Sequence, residues 1–544
     1  MFVGKPMPRK EDARHLLGGA RFTADMQPAG VLHVAFLRSP HSHARILEVD
    51  ASACKGVAAV LTSAEVRERT KPFSHRLEIP GIQALEWFAL AQDTVRYVGE
   101  PVLALAASSR YAAEDALDSV EVEYEPLQPI SNVASALAPG APRIYDSWPD
   151  NRLLSRSFQA GDVEGAFERA ALVVERRFES QRYSGFPLET RGCLAEFSPG
   201  AGQLSVWSST QWPHPLRTVL AELLRLPESR IRVTAPDVGG GFGNKQHMFS
   251  EEVAVCLLAM KTGRPVKWIE DRRENLAASV HACQQEIEAA AAADADGVIQ
   301  ALRVKVVADM GAAALYFTGV APQLVMVGSM PGPYRIENYA YELECVVTNK
   351  CPVGAYRGFG RPQATFAMER LMDVIAGELK LDPAEIRRRN LLEPGELPYR
   401  TVTGGVLDSG RYREALELAL RSADYDHWRG EQAKARSQQR YLGIGLACFV
   451  EATAPSVRYS AGRWAGYDAA TARLEPDGHL AVYVGISSHG QGLETSLSQV
   501  AADALGVEPN SVSIFHGDTS TCPYGLGTFG SRSAIVGGVS VARA

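Results

Sequence analysis

Four times in this chain an apolar, strand-like run leads into a glycine cluster and then into a helix-forming segment. "RIRVTAP" precedes "DVGGGFGNK" and then "SEEVAVCLLAMK", which stops at "TGRP". There Gly263 suits a left-handed cap and Pro265 forbids continuation. "YELECVVTN" precedes "GAYRGFGR" and a helix opening at Pro362, with Ala367, Leu371, Val374 or Ile375, and Leu379 at helical spacing. "HLAVYVGISS" precedes "HGQG" and a helix carrying Leu493, Leu497, Val500, Ala501, Ala504 and Leu505 on one face. "SVSIFHGDTS" leads into "YGLGTFGSRS" and the apolar "AIVGGVSVARA". Glycine is costly inside regular structure, so such clusters need a reason. Taken singly, each is no more than a tight turn. A helix N-terminus presents free amides and a positive dipole end, and glycine lets an anion reach them. Four such units in one chain point to one large polar cofactor gripped from several sides.

The familiar cofactor signatures fail. Lys245 stands between Asn244 and Gln246, so there is no GxxxxGK[ST] phosphate loop. Asn244 occupies the place where a dinucleotide fingerprint needs glycine. The eight cysteines include no CxxC pair, and several sit in apolar runs such as "VAVCLLAM". They read as buried reduced thiols of a cytoplasmic protein, not as zinc or iron–sulfur ligands. His214, His247 and His489 lack paired ligand spacing and read as hydrogen-bonding residues. A net charge of −7 disfavours a nucleic-acid binder. The start of the chain has no apolar signal core. Residues 310–334 are uncharged but dense in glycine and proline, which disfavours a membrane span and suits a buried loop and helix beside a pocket.

With 544 residues, more than one core is expected. Residues up to about 130 read as α plus β. "VRYVGEPVLALAASS" reads as strand, turn, strand; "RYAAEDALDSV" as a helix; "VEVEYEP" as a strand. Residues 131–160, rich in Pro, Ala, Ser and Asn, read as a linker, and a second break falls near 395–440.

"STQWPH", "PDVGGGFGNK", "AYRGFGRPQATFAMERLMD", "RRRNLL", "HGQGLET" and "GDTSTCPYGLGTFGSRS" occur in the order of a known family. They resemble the molybdenum-binding large subunit of the xanthine dehydrogenase, aldehyde oxidase and aerobic carbon monoxide dehydrogenase family. "GGARFTADM", "RSPHSHARI" and "VRYVGEPV" resemble that family's hammerhead domain. The resemblance covers essentially the whole chain. It implies an α+β protein: an α/β hammerhead domain over 1–130, the linker 131–160, and molybdopterin-binding α+β domains over 161–395 and 396–544, the last incomplete.

The resemblance also implies a cofactor, molybdopterin in its cytosine dinucleotide form, whose dithiolene holds molybdenum without a protein ligand. Gln211 would hydrogen-bond an oxygen on the metal. Gly241, Phe242 and Gly243 would line metal and pterin, and the Arg357 amide would approach the metal centre. Gly490, Gln491 and Gly492 would touch the pterin. Thr528, Phe529, Gly530, Ser531 and Ser533 would hold the pterin or its phosphate tail. Phe359 would lie against a planar substrate; without the family it reads as a core aromatic. Gln246 would face the substrate where purine oxidisers carry a glutamate. Gly358 stands where carbon monoxide oxidisers carry a copper-binding cysteine, which disfavours that substrate. The implied reaction is hydroxylation of an aldehyde or aromatic N-heterocycle with water-derived oxygen. Electrons would leave through an iron–sulfur small subunit and an FAD-binding medium subunit. The family's glutamate base lies in a "GxGE" segment beyond "GSRS", and no such segment follows here. The expectation is a truncated chain or a large subunit split over two polypeptides, inactive by itself, with the remainder supplied by a partner. The rival reading is a non-catalytic cofactor-binding fragment.

Overall fold

A computed structural model describes residues 1–74, 79–312, 318–451, 453–454 and 467–544. Its largest sheet has seven strands, in the order Ile231–Thr234, Gln203–Ser208, Gly192–Ser198, Val266–Ile269, Leu32–Arg38, Pro101–Ala107 and Val57–Leu61. The expected boundary at 130 therefore does not divide this sheet. Leu32–Arg38 pairs in parallel with Val266–Ile269, Leu32 opposite Val266. Pro101–Ala107 is buried along its whole length. A strand apolar on both faces needs cover on both, which the early residues alone do not provide. The helix Ser250–Thr262 lies on this sheet, buried nearly all round, and ends at Gly263 in the left-handed conformation.

A second sheet orders Leu172–Ser180, Gln284–Ala293, Ile299–Asp309, Asn338–Val346 and Arg152–Ala160. The last nine residues of the expected linker belong to it. Residues 133–137 are helical, and Arg152–Ala160 pairs antiparallel with Asn338–Val346. That strand is at an edge and its outer half is polar, which is why composition reads as a loop. The helices Ala321–Ser329, Arg361–Glu378 and Pro383–Asn390 join the same core. Leu416, Leu420 and Tyr425, within the second expected break, also pack into it. Thus the helix Tyr412–Ser422 covers the earlier unit, and Arg388 pairs with Glu417 across that contact.

The last unit is a sheet of Ala470–Leu474, Leu480–Val484 and Val512–Phe515, packed under the helix Leu493–Leu505. That helix starts after Gly492 and ends at Gly506, both at positive φ. Residues 533–543 form a π-helical turn and a short helix, with Val541 buried against the sheet. Among the described residues no helix is long and apolar enough to cross a membrane. In the stretch 310–334, of which residues 313–317 lie outside the described residues, the structure places the half-buried helix Ala321–Ser329.

Candidate cofactor site

Gln211 follows the strand Gln203–Ser208 and is 3% exposed. Its Oε1 accepts from Gly243 N at 2.9 Å, and its Nε2 donates to Thr528 O at 2.8 Å. Its backbone carbonyl accepts from Thr528 N at 2.8 Å and from Ser487 Oγ at 3.1 Å. Ser487 and Thr528 bond each other twice, Ser487 N to Thr528 Oγ1 and Thr528 Oγ1 to Ser487 O. One residue thus joins the first and fourth glycine loops to the run that leads into the third. The second loop is tied to the first, because Arg357 N donates to Phe242 O at 2.9 Å. Gly243 permits that approach: its φ is +93°, and a Cβ there would stand 2.8 Å from Ala355 O. The third loop reaches the first directly, with the Cβ position of Gly490 4.0 Å from Val238 O.

Three non-glycine residues of these loops lie in the left-handed region, Phe242 at φ 55°, Phe359 at 53° and Ser531 at 53°. Such conformations cost on the order of 1–3 kcal/mol each and persist where surroundings enforce them, often at functional sites. The amides of Gly241, Phe242, Phe529, Gly530 and Ser531 have no acceptor among the described residues. Gly241 and Gly530 flank those of Phe242 and Phe529 in sequence. An anionic ligand rich in oxygen would satisfy these donors, so the residues present fit a phosphate-bearing pterin.

The remaining expected residues fall as follows. Phe242 is 41% exposed, and Arg357 is exposed. The Gln491 side chain folds onto its own loop, accepting from His489 N at 2.7 Å. Phe529 packs edge-on to Trp212, and buried Arg532, paired with Asp468, covers its ring. Ser533 opens the π-helical turn. Phe359 lines a cleft with Tyr183, Tyr356, Arg357 and Gln363. Gln246 is buried, and its backbone amide donates to Gly243 O at 3.1 Å within the first loop.

One expectation about helix ends changes. The first-turn amides of Glu494 and Thr495 are taken by the Glu11 carboxylate, at 2.8 and 3.3 Å. The third unit therefore offers its loop and not its helix end to a ligand. Sequence reasoning also missed Ser487 and Glu189. Glu189 Oε2 accepts from Gly239 N at 2.8 Å and pairs with Lys245 Nζ at 2.6 Å, bracing both ends of the first loop. Burial draws the Lys245 ammonium below its ordinary pKa, and Glu189 opposes the shift. A lysine and a glutamate 56 positions apart give no local signal. Burial lowers His214 to a pKa of about 4 and His247 to about 3, so both are neutral. Among the described residues no group of three His, Cys, Asp or Glu side chains could hold a metal ion.

Fold and loops together define an α+β protein that brings several glycine loops, with backbone amides unpaired among the described residues, against one another. Comparison with known proteins supplies the family. Residues 17–128 match the aldehyde oxidase and xanthine dehydrogenase a/b hammerhead domain, and residues 144–391 and 418–544 match molybdopterin cofactor-binding domains. The nicotine 6-hydroxylase large subunit of Paenarthrobacter nicotinovorans is 39% identical over 100% of this chain and 67% of its own length. The carbon monoxide dehydrogenase large chain of Hydrogenophaga pseudoflava is 36% identical over 98% of this chain and 69% of its own. The structure of quinoline 2-oxidoreductase from Pseudomonas putida 86 superposes with a TM-score of 0.96 at 38% identity, covering 100% of this chain and 70% of that one. The chain belongs to the molybdenum-binding large subunits of the xanthine dehydrogenase and aldehyde oxidase family, which are molybdenum-dependent oxidoreductases. The resemblance carried by the motifs holds along the whole chain.

Proposed function

We propose that this chain, as one subunit of a complex and inactive by itself, holds molybdopterin as its cytosine dinucleotide for the hydroxylation of an aromatic N-heterocycle or an aldehyde. The observation that supports this best is the joining of glycine loops through Gln211. When bound, the cofactor supplies a two-electron oxidant at which oxygen from water enters the substrate carbon. Gln211 is already held by Gly243 N and Thr528 O, so its amide is fixed before the cofactor arrives. Fixed dipoles need no reorganisation during reaction. Gly241, Phe242 and Gly243 offer backbone close to the metal end, and Arg357 fixes the neighbouring wall through Phe242 O. Gly490, Gln491 and Gly492 border the pterin. Phe529, Gly530, Ser531 and Ser533 hold the pterin or its phosphates by amides and hydroxyls, and Thr528, its own amide and hydroxyl engaged by Gln211 and Ser487, anchors that loop beneath them.

The substrate lies against Phe359, in the cleft shared with Tyr183, Tyr356 and Gln363. Aromatic walls with the amides of Gln323 and Gln363 and the guanidinium of Arg357 suit a flat ring that carries a hydrogen-bond acceptor. The names of two relatives, a nicotine hydroxylase and a quinoline oxidoreductase, are in keeping with N-heterocycles. Carbon monoxide does not suit the second loop. Gly358 has φ +94°, and a Cβ there would stand 2.5 Å from Pro362 Cγ, which leaves no place for a copper-binding thiol. Electrons leave to an iron–sulfur subunit and a flavin subunit, and the assembly works in the cytoplasm.

The test is metal and pterin analysis of the purified protein with its co-expressed partner subunits. An assay of quinoline, a pyridine and benzaldehyde with an artificial electron acceptor accompanies it. Stoichiometric molybdenum and turnover of the heterocycles are expected. Molybdenum without turnover of any of the three would leave a cofactor-binding protein and overturn the substrate assignment.

A further inference from the structure

Residues 9–14 lie far in sequence from the third glycine loop yet are bonded to it. Glu11 is 6% exposed. Its Oε1 accepts from the amides of Glu494 and Thr495, and its Oε2 accepts from Thr495 Oγ1 at 2.6 Å. The helix Leu493–Leu505 has no side-chain cap of its own, since Gly492 precedes it. Glu11 thus caps it across more than 480 positions of sequence, and its charge complements the helix dipole. On one side, Arg9 Nη1 donates to Gly490 O at 3.0 Å. On the other, Lys10 Nζ is held by Ser498 Oγ and Pro509 O, at 3.2 and 2.9 Å. Arg14 bridges Asp237 at 2.5 Å and Glu494 at 3.3 Å. Asp237 opens the first glycine loop, and Arg21 N also donates to it at 2.7 Å.

We propose that residues 9–14 form a clasp that holds the first and third glycine loops in register for the cofactor, with Glu11 as its positioning residue. This rests on the reading that those loops hold the cofactor. Glu11 touches no reacting group; it fixes where the helix begins, and hence where Gly490, Gln491 and Gly492 stand. Arg14 carries the same constraint to Asp237. Without the clasp the loops still form, but their spacing is no longer set.

The test compares Glu11→Ala and Glu11→Gln with Asp503→Ala. Asp503 binds the Phe2 and Val3 amides further along the same helix and touches neither loop. It is therefore a control for loosening this part of the chain. The purified complexes are dialysed and their molybdenum followed over time, beside amide hydrogen exchange of residues 489–497. Roughly tenfold faster molybdenum loss and exchange are expected for Glu11→Ala, the size of a lost helix cap. Glu11→Gln should move both in the same direction by less, and Asp503→Ala should match the wild type. If Glu11→Ala does not fold, Glu11→Gln carries the comparison. Faster exchange with wild-type molybdenum retention would overturn the proposal, as would equal loss in Asp503→Ala. A wild-type complex without molybdenum would instead overturn the cofactor reading on which the proposal stands.

Discussion

Gln211 carries the account at the scale of a single residue. Its side chain satisfies a donor on one glycine loop and an acceptor on another, and it is buried. Gln211→Ala leaves Gly243 N without its acceptor and opens a small cavity. A loss of about 2–3 kcal/mol in urea unfolding is expected, from two hydrogen bonds near ~1 kcal/mol each plus desolvation of an unpaired group. Gln211→Glu keeps the volume but sets a carboxylate oxygen against Thr528 O. It should lose molybdenum as fully as the alanine variant, read by metal analysis; retention would show that the amide's polarity is not what matters. Gln211 was legible from its motif, whereas Ser487 and Glu189 were not. Their partners are remote, and a serine or glutamate in a loop carries no pattern by itself.

Among the elements, the helix Ser250–Thr262 makes a pH prediction. Glu252 in its first turn accepts from Ser208 Oγ at 2.7 Å and from Phe249 N at 3.1 Å, yet burial raises its pKa to about 7. In the unfolded chain it titrates near the ordinary carboxylate value of ~4.3. Between those values the folded protein binds the extra proton, so this group's contribution to stability falls as pH rises and levels off above pH 7. Glu252→Gln removes that dependence. Relative to wild type, the variant should gain about 2–4 kcal/mol between pH 4.5 and pH 7.5, measured by urea unfolding at both. A constant difference would show that the carboxyl ionises freely in the fold. This helix, with its glycine stop, was legible because spacing and cap agree. The strand Arg152–Ala160 was not, because a polar edge strand and a polar loop have the same composition. The helix-end anion site of the third unit was misread because its occupant, Glu11, sits at the other end of the sequence.

Over the whole molecule, the seven-stranded sheet draws strands from both sides of residue 130. Arg191 stands at that junction, buried and paired with Glu251 and Glu270, with its guanidinium 3.8 Å from the Phe249 ring centroid. Glu251 also binds Arg38 of the strand Leu32–Arg38. Removing one partner of a buried ion network costs about 3–5 kcal/mol. Arg191→Ala should lose that much, and the strands contributed by residues 32–107 and 192–269 should melt in one calorimetric transition. Two resolved transitions, with the early residues melting alone, would contradict a shared sheet. Such sharing is invisible in sequence because hydrophobic pattern sets which face is buried, not which distant strand lies beside it.

The central claim is that the glycine loops form one cradle for the molybdenum cofactor. Gly241 tests it most directly, because a Cβ there would stand 2.5 Å from Gln211 Oε1. The measurement is molybdenum per chain in purified Gly241→Val beside the wild type, with unfolding midpoints to show that both are folded. Stoichiometric metal is expected in the wild type and almost none in the folded variant. Full molybdenum occupancy in folded Gly241→Val would contradict it.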